Sequence, residues 1–266
     1  MGGNPEREVT ERFESAVRAQ MSEISAASQL LQRRITTEQE REYLLMISRG
    51  VARTINALEK WGLTQRVRES EDGLHPELAP INLVEWCGGV VERAGGLLEL
   101  RGITLTFRTE LTSLVSAGER GLLDRMLYLL LANAAEAKED GGEIAVSLSR
   151  SGQTAILVVG DVGSEYTKRL LERGGNLLSR GTDLEPGSEA SRRLRLARAI
   201  AAGHQGTLML DHSGGGTRAA VVLPLLEAPV GRLESPAVWG SGMSAALTAL
   251  SDVLPVSAYS AQNTGV

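Results

Sequence analysis

The residues best equipped for chemistry lie in LLLANAAEAKEDGGEIAVSL, positions 129–148. An apolar run delivers Asn133 and Glu136, breaks at Gly141-Gly142 and resumes as an alternating segment. A side-chain amide in such a place either satisfies backbone groups of its own helix or offers its oxygen to a hard cation. Asp161, in GDVGSE, closes the apolar stretch AILVV. It is either a turn residue ending a strand or an acceptor for a ligand. Arg192, Arg193, Arg195 and Arg198 cluster where a helix should begin. They form either a solvated face or an anion contact, although cations at a helix N-terminus oppose its dipole. Other reactive groups are scarce: one cysteine, Cys87, and three histidines, His75, His204 and His212.

Two kinds of element must position these groups. Between 10 and 35, Phe13, Val17, Met21, Ile24, Leu31 and Ile35 recur at spacings of three, four and their sums, which predicts a helix. TTEQ (36–39) interrupts it, with Thr37 as an N-cap candidate. A second helix then runs to about 69, with Leu44, Ile47, Val51, Ile55 and Leu58 on one face. Two long helices with a short joint make an antiparallel hairpin. Such a hairpin buries its stripe poorly alone, so pairing with a second copy into a four-helix bundle, a homodimer, is expected.

ESEDGLHPELAPIN (69–82) reads as a polar connector. Beyond it the pattern predicts helices near 83–100, 119–138 and 189–203. Strands are predicted at GITLTF, EIAVSLS, TAILVVGD, TLMLD and TRAAVVLPL. That alternation implies an α/β sandwich, a mixed sheet with helices on one face. From Leu226 a loosely ordered tail follows, in which Met243, Leu247, Leu250 and Leu254 have helical spacing. That helix either docks elsewhere or packs on its own domain. The fold class is therefore α+β, divided into a hairpin dimerisation domain (1–70), a connector (71–82), the α/β domain (83–225) and a tail (226–266).

Composition narrows the function. Hydrophobic residues at 42% and charged residues at 23% fit a soluble globular protein. A net charge of −5 gives no reason to expect nucleic acid as a partner. A single cysteine excludes an intrachain disulfide framework and a cysteine-cluster zinc site, and suits a reducing cytoplasm. No run of 18 apolar residues is present and MGGNPEREVTER has no apolar signal core, so neither membrane insertion nor secretion is expected.

Three stretches, in this order, carry a family likeness: TEQEREYLLMISRGVARTINAL, GLLDRMLYLLLANAAEAKEDGGEIAVSL and GGGTRAAVVLPL. Together the span from about 10 to 225 resembles the cytoplasmic core of a bacterial sensor histidine kinase. The first part is similar to the dimerisation and histidine-phosphotransfer hairpin, the second to the Bergerat-type ATP-binding domain. The resemblance implies that Asn133 is the Mg²⁺ ligand. It also implies that Asp161, with Gly163, holds the adenine amino group, and that Thr217 belongs to the closing strand pair of an ATP site. It implies a response-regulator receiver domain as partner, docking on the hairpin.

Several positions depart from the family pattern. The phosphoacceptor histidine and its glutamate fall on Ser15 and Ala16, and no histidine lies anywhere in the hairpin. A serine without an adjacent base is a poor substitute for an imidazole nucleophile. A polar position one turn before the metal ligand is Leu129, and the second glycine of the adenine turn is Glu165. The later glycine box falls on Ser191, Arg192, Arg193 and Leu194, which removes the close backbone approach to phosphate. His204 matches a structural position. The expectation is a histidine-kinase-like regulator or scaffold without kinase activity. Alternatives are an ATP-binding kinase acting in trans on a protein partner and, last, a phosphotransfer protein.

Overall fold

The computed structural model describes residues 5–69, 73–138, 141–160, 187–211, 218–226 and 244–260. The chain divides into two compact units, Met1–Glu71 with Val238–Val266, and Asp72–Ala237.

The first unit is built on the helices α1 (Pro5–Gln32) and α2 (Glu38–Glu69), packed as a hairpin. Thr37 caps α2 as its sequence suggests. Its Oγ1 accepts from the Glu40 amide at 3.4 Å and its hydroxyl donates to the Glu40 carboxylate. Leu44, Val51, Ile55 and Leu58 of α2 are buried, whereas Ile47 is exposed. The α1 stripe behaves differently: Phe13, Ile24 and Leu31 are exposed, and the buried α1 residues include Ser25 and Ser28. Small side chains let the helices approach, and the Ser28 and Ser48 hydroxyls share a hydrogen bond at 2.9 Å.

The C-terminal segment belongs to this unit. Ser244 caps the short helix α6 (Ala245–Ala249) by accepting from the Leu247 amide at 3.1 Å. That helix and the 3-10 turn Val256–Tyr259 pack on α2. Ala246, Leu247, Leu250, Leu254, Ala258 and Tyr259 are buried there. Asp252 adds a polar clasp, accepting from Lys60 Nζ at 2.6 Å and from Asn56 Nδ2 at 3.2 Å.

The second unit is a layered α/β domain. Its five-stranded sheet has the order β2-β4-β5-β7-β6, comprising β2 (Ile103–Arg108), β4 (Gly142–Ser151), β5 (Thr154–Gly160), β7 (Arg218–Pro224) and β6 (Thr207–Asp211). β2 pairs with β4 in parallel and the other pairs are antiparallel, which makes the sheet mixed. Three helices lie against it: α3 (Leu83–Leu98), α4 (Arg120–Glu136) and α5 (Glu189–Gly203). Gly141 and Gly142, at φ +103° and +113°, make the turn from α4 into β4, a conformation that favours glycine. A small sheet absent from the sequence reading pairs β1 (Ala79–Asn82) with β3 (Val115–Gly118). Asn82 caps α3 and also accepts from the Leu114 amide at 3.2 Å, tying the start of that helix to the segment before β3.

Candidate functional site

Helices α4 and α5 converge around Asn133. Residues three apart on a helix share a face, so Asn133 and Glu136 project together from the last turns of α4. Across from them Ser188 caps α5, accepting from the Ser191 amide at 3.1 Å, which sets the first turn bearing Glu189, Arg192 and Arg193.

Arg193 crosses the gap. Its Nη1 donates to Asn133 Oδ1 at 2.7 Å and to Glu136 Oε2 at 2.5 Å, and its Nε lies 3.8 Å from Glu189 Oε1. The Asn133 amide nitrogen donates in turn to the Ala190 carbonyl at 3.2 Å. Arg193 is only 2% exposed, although it is a full positive charge. A buried guanidinium is tolerated because the two carboxylates and the amide oxygen replace its water. Arg192 is exposed and chelates Glu189 through Nε and Nη2 at 2.9 and 2.7 Å. The basic cluster is thus not one surface: Arg192, Arg195 and Arg198 face outward, and Arg193 points in.

This arrangement bears on a divalent metal. The oxygen that the resemblance assigns to Mg²⁺ is already an acceptor for an internal cation, and the nitrogen of the same amide is committed to backbone. The residues as arranged do not fit a metal ion at Asn133. No group of three or more His, Cys, Asp or Glu side chains that could hold one occurs among the described residues.

Neighbouring polar groups are structural. Asp124 is buried on α4 and accepts from Trp86 Nε1 at 2.7 Å; burial raises its pKa, against the lowering effects of Trp86 and Arg93. Burial also pushes the Cys87 thiol well up, with Asp124 adding to it, so the lone cysteine is not a thiolate nucleophile. His204 donates from Nδ1 to the Ile200 carbonyl at 2.7 Å and accepts at Nε2 from the Glu119 amide at 3.0 Å. That pairing uses the neutral ring, and burial lowers its pKa. His204 therefore ties the end of α5 to the start of α4, in keeping with a structural role.

The remaining site expectations fall in other places. Asp161, Gly163 and Thr217 lie outside the described residues. Ser15 is exposed on α1. Leu129 is buried, 4% exposed. Trp61 meets Phe13 edge-to-face on the hairpin, ring centroids 6.3 Å apart, and Trp86 is buried in the α/β unit. Sequence reasoning gave Glu136 and Glu189 no role. The only available signal was the three-residue spacing of Asn133 and Glu136, facing an arginine where the resemblance would place a glycine.

Residues 118–227 match the family of histidine kinase-, DNA gyrase B- and HSP90-like ATPases. The described part of that stretch, α4 with the β4–β5–β7–β6 strands and α5, has the fold of such a domain, and it follows a part made of two long helices. Among solved structures it is similar to full-length ShkA in complex with AMPPNP, at 16% identity and a TM-score of 0.57 over 83% of this chain. It spans 46% of that protein, less than half its length. It is also similar to the histidine kinase AdeS of Acinetobacter baumannii, at 16% identity and a TM-score of 0.50, covering 72% of this chain and 86% of that one. No curated protein matches the chain by sequence. No helix among the described residues is long and apolar enough to cross a membrane.

Proposed function

We propose that this histidine-kinase-like signalling protein works as a dimeric regulator or scaffold in a two-component-type pathway, without kinase activity of its own. The observation that carries the reading is the hairpin, which has the place and form of a phosphotransfer hairpin but holds no histidine, since His75, His204 and His212 all lie beyond it. Adenine nucleotide is the ligand that the ATPase-type domain supports. Homodimerisation is supported by the exposed α1 residues Phe13, Ile24 and Leu31, an apolar stripe that one chain alone leaves in water. A response-regulator receiver domain, held without being phosphorylated, is the partner that suits a hairpin of this form. The alternative, a kinase acting in trans, is less well supported because Asn133 is held by Arg193.

The test incubates the full chain with radiolabelled Mg-ATP and looks for acid-labile phosphate. None is expected on the protein, and sedimentation should give twice the 28.4 kDa chain mass. Acid-labile label on the chain would overturn the non-kinase reading.

A further inference from the structure

Arg193 is unusual in three ways at once. It is a charged side chain with 2% exposure, one of its nitrogens bridges two oxygens of α4, and its Nε finds no hydrogen-bond acceptor. Asn133 Oδ1 and Glu136 Oε2 both lie on Nη1, at 2.7 and 2.5 Å, so a single positive nitrogen sits between two oxygens that converge on it. Glu189 supplies a third oxygen at 3.8 Å from Nε. An all-oxygen set of two carboxylates and an amide is the donor chemistry of a hard divalent cation. Here it is filled from within the chain.

We infer that the Arg193 guanidinium occupies a divalent-cation position built by Asn133, Glu136 and Glu189, so that the native site takes no metal and removing the arginine uncovers one. The inference deepens the reading of an ATPase-type domain, on which it rests for the expectation that a metal would belong there. Charge supports it. The carboxylates of Glu136 and Glu189 are matched by the guanidinia of Arg193 and Arg192, which leaves the cluster neutral with no deficit for an incoming cation to fill. A metal ion could enter only by expelling a buried arginine from the oxygens that pair with it. The guanidinium also differs from a metal in kind. It is a fixed planar donor with one charge, and it can neither accept a lone pair nor organise water around itself.

The experiment uses Mn²⁺ as the probe, read by the loss of its free electron paramagnetic signal on binding to the full-length protein, with and without ADP. The wild-type chain should bind none in either condition. Arg193→Ala should bind one Mn²⁺ per chain, and Arg193→Ala with Glu136→Gln should lose it again. Arg193→Lys, which keeps a cation in place, should stay metal-free and guards against a misfolded alanine variant, with circular dichroism confirming the fold of each. Two results overturn the inference: Mn²⁺ on the wild-type chain that Asn133→Ala removes, or a folded Arg193→Ala that still binds none. If Arg193→Ala does not fold, Arg193→Gln takes its place under the same criterion. Phosphate label on the wild-type chain would sink the non-kinase reading without touching this one. Mn²⁺ on the wild-type chain that Asn133→Ala removes would do the reverse.

Discussion

Truncating Leu250 to alanine tests whether the C-terminal segment is part of the hairpin unit's core. Leu250 has no exposed surface and sits in the turn that ends α6, with its amide bonded to the Ala246 carbonyl at 3.0 Å. Replacing it removes buried methyl and methylene groups and leaves a cavity, a change that costs about 3 kcal/mol when the surroundings collapse only in part. At about 1.4 kcal/mol per factor of ten, that corresponds to a rise of roughly 150-fold in the opening equilibrium of the unit that contains it. Hydrogen exchange by mass spectrometry reads this locally, provided that reclosing outpaces exchange. Faster exchange is expected in 44–63 of α2 as well as in 244–260, because the buried tail residues and the clasp of Asp252 with Lys60 and Asn56 pack on that helix. Strands β5 and β7, in the other unit, serve as the internal control and should be unchanged. Acceleration confined to 244–260, with α2 at its wild-type rate, would refute the reasoning: the tail would be lying on the hairpin without supporting it.

Two further outcomes follow from the α/β unit. His204 is held neutral by burial, so its folded pKa lies below the unfolded value of about 6.5. The unfolded chain then binds more protons, and the stability is fully present above that pH and lost as pH falls through the folded pKa. The urea midpoint of the unit should fall on acidification below about pH 6.5, and less steeply in His204→Gln; parallel pH profiles would count against the assignment. Trp86→Phe should cost about 1–3 kcal/mol by stranding the buried Asp124 acceptor. Adding Asp124→Leu should recover part of that loss in a double-mutant cycle, and strict additivity would show that the hydrogen bond does not couple them.

Most of the fold was legible because its elements are long and periodic. The Thr37 cap, the Gly141-Gly142 turn and α5 are each marked by a residue type that does one local job well. What stayed illegible is short or depends on what packs where. The β1–β3 pair is four residues on each side and begins with Ala79-Pro80, so neither strand gives a period. The α1 stripe was readable as a stripe, but nothing local says which side of it α2 will take. The described structure gives α2 the serine face and leaves Ile24 and Leu31 exposed. For the candidate site, the Asn133 position was readable, but its partner was not. Arginines 192, 193, 195 and 198 look equivalent in a string, and only the helical phase of α5 against α4 turns one of them inward.

That phase also changes what a lost glycine means. A glycine at position 193 would leave the start of α5 open, with bare backbone amides and space in front of them. An arginine with the helix in the same register fills that space with a long side chain and a charge, and the cost of burying the charge is offset only because Asn133 and Glu136 already face it. Arg193, where the resemblance would place a glycine, therefore supplies α4 and α5 with a tie that a glycine could not make. Leu129, buried on the same helix where a polar group was expected, works in the same direction by adding apolar contact. The order of effects is testable in the Arg193 variants already described: if the tie matters to the fold, Arg193→Ala should gain its metal at the expense of melting temperature, and Mn²⁺ should restore part of the difference by binding only the folded state. A variant that melts with the wild-type chain in the absence of metal would separate the two and leave Arg193 as a plug alone.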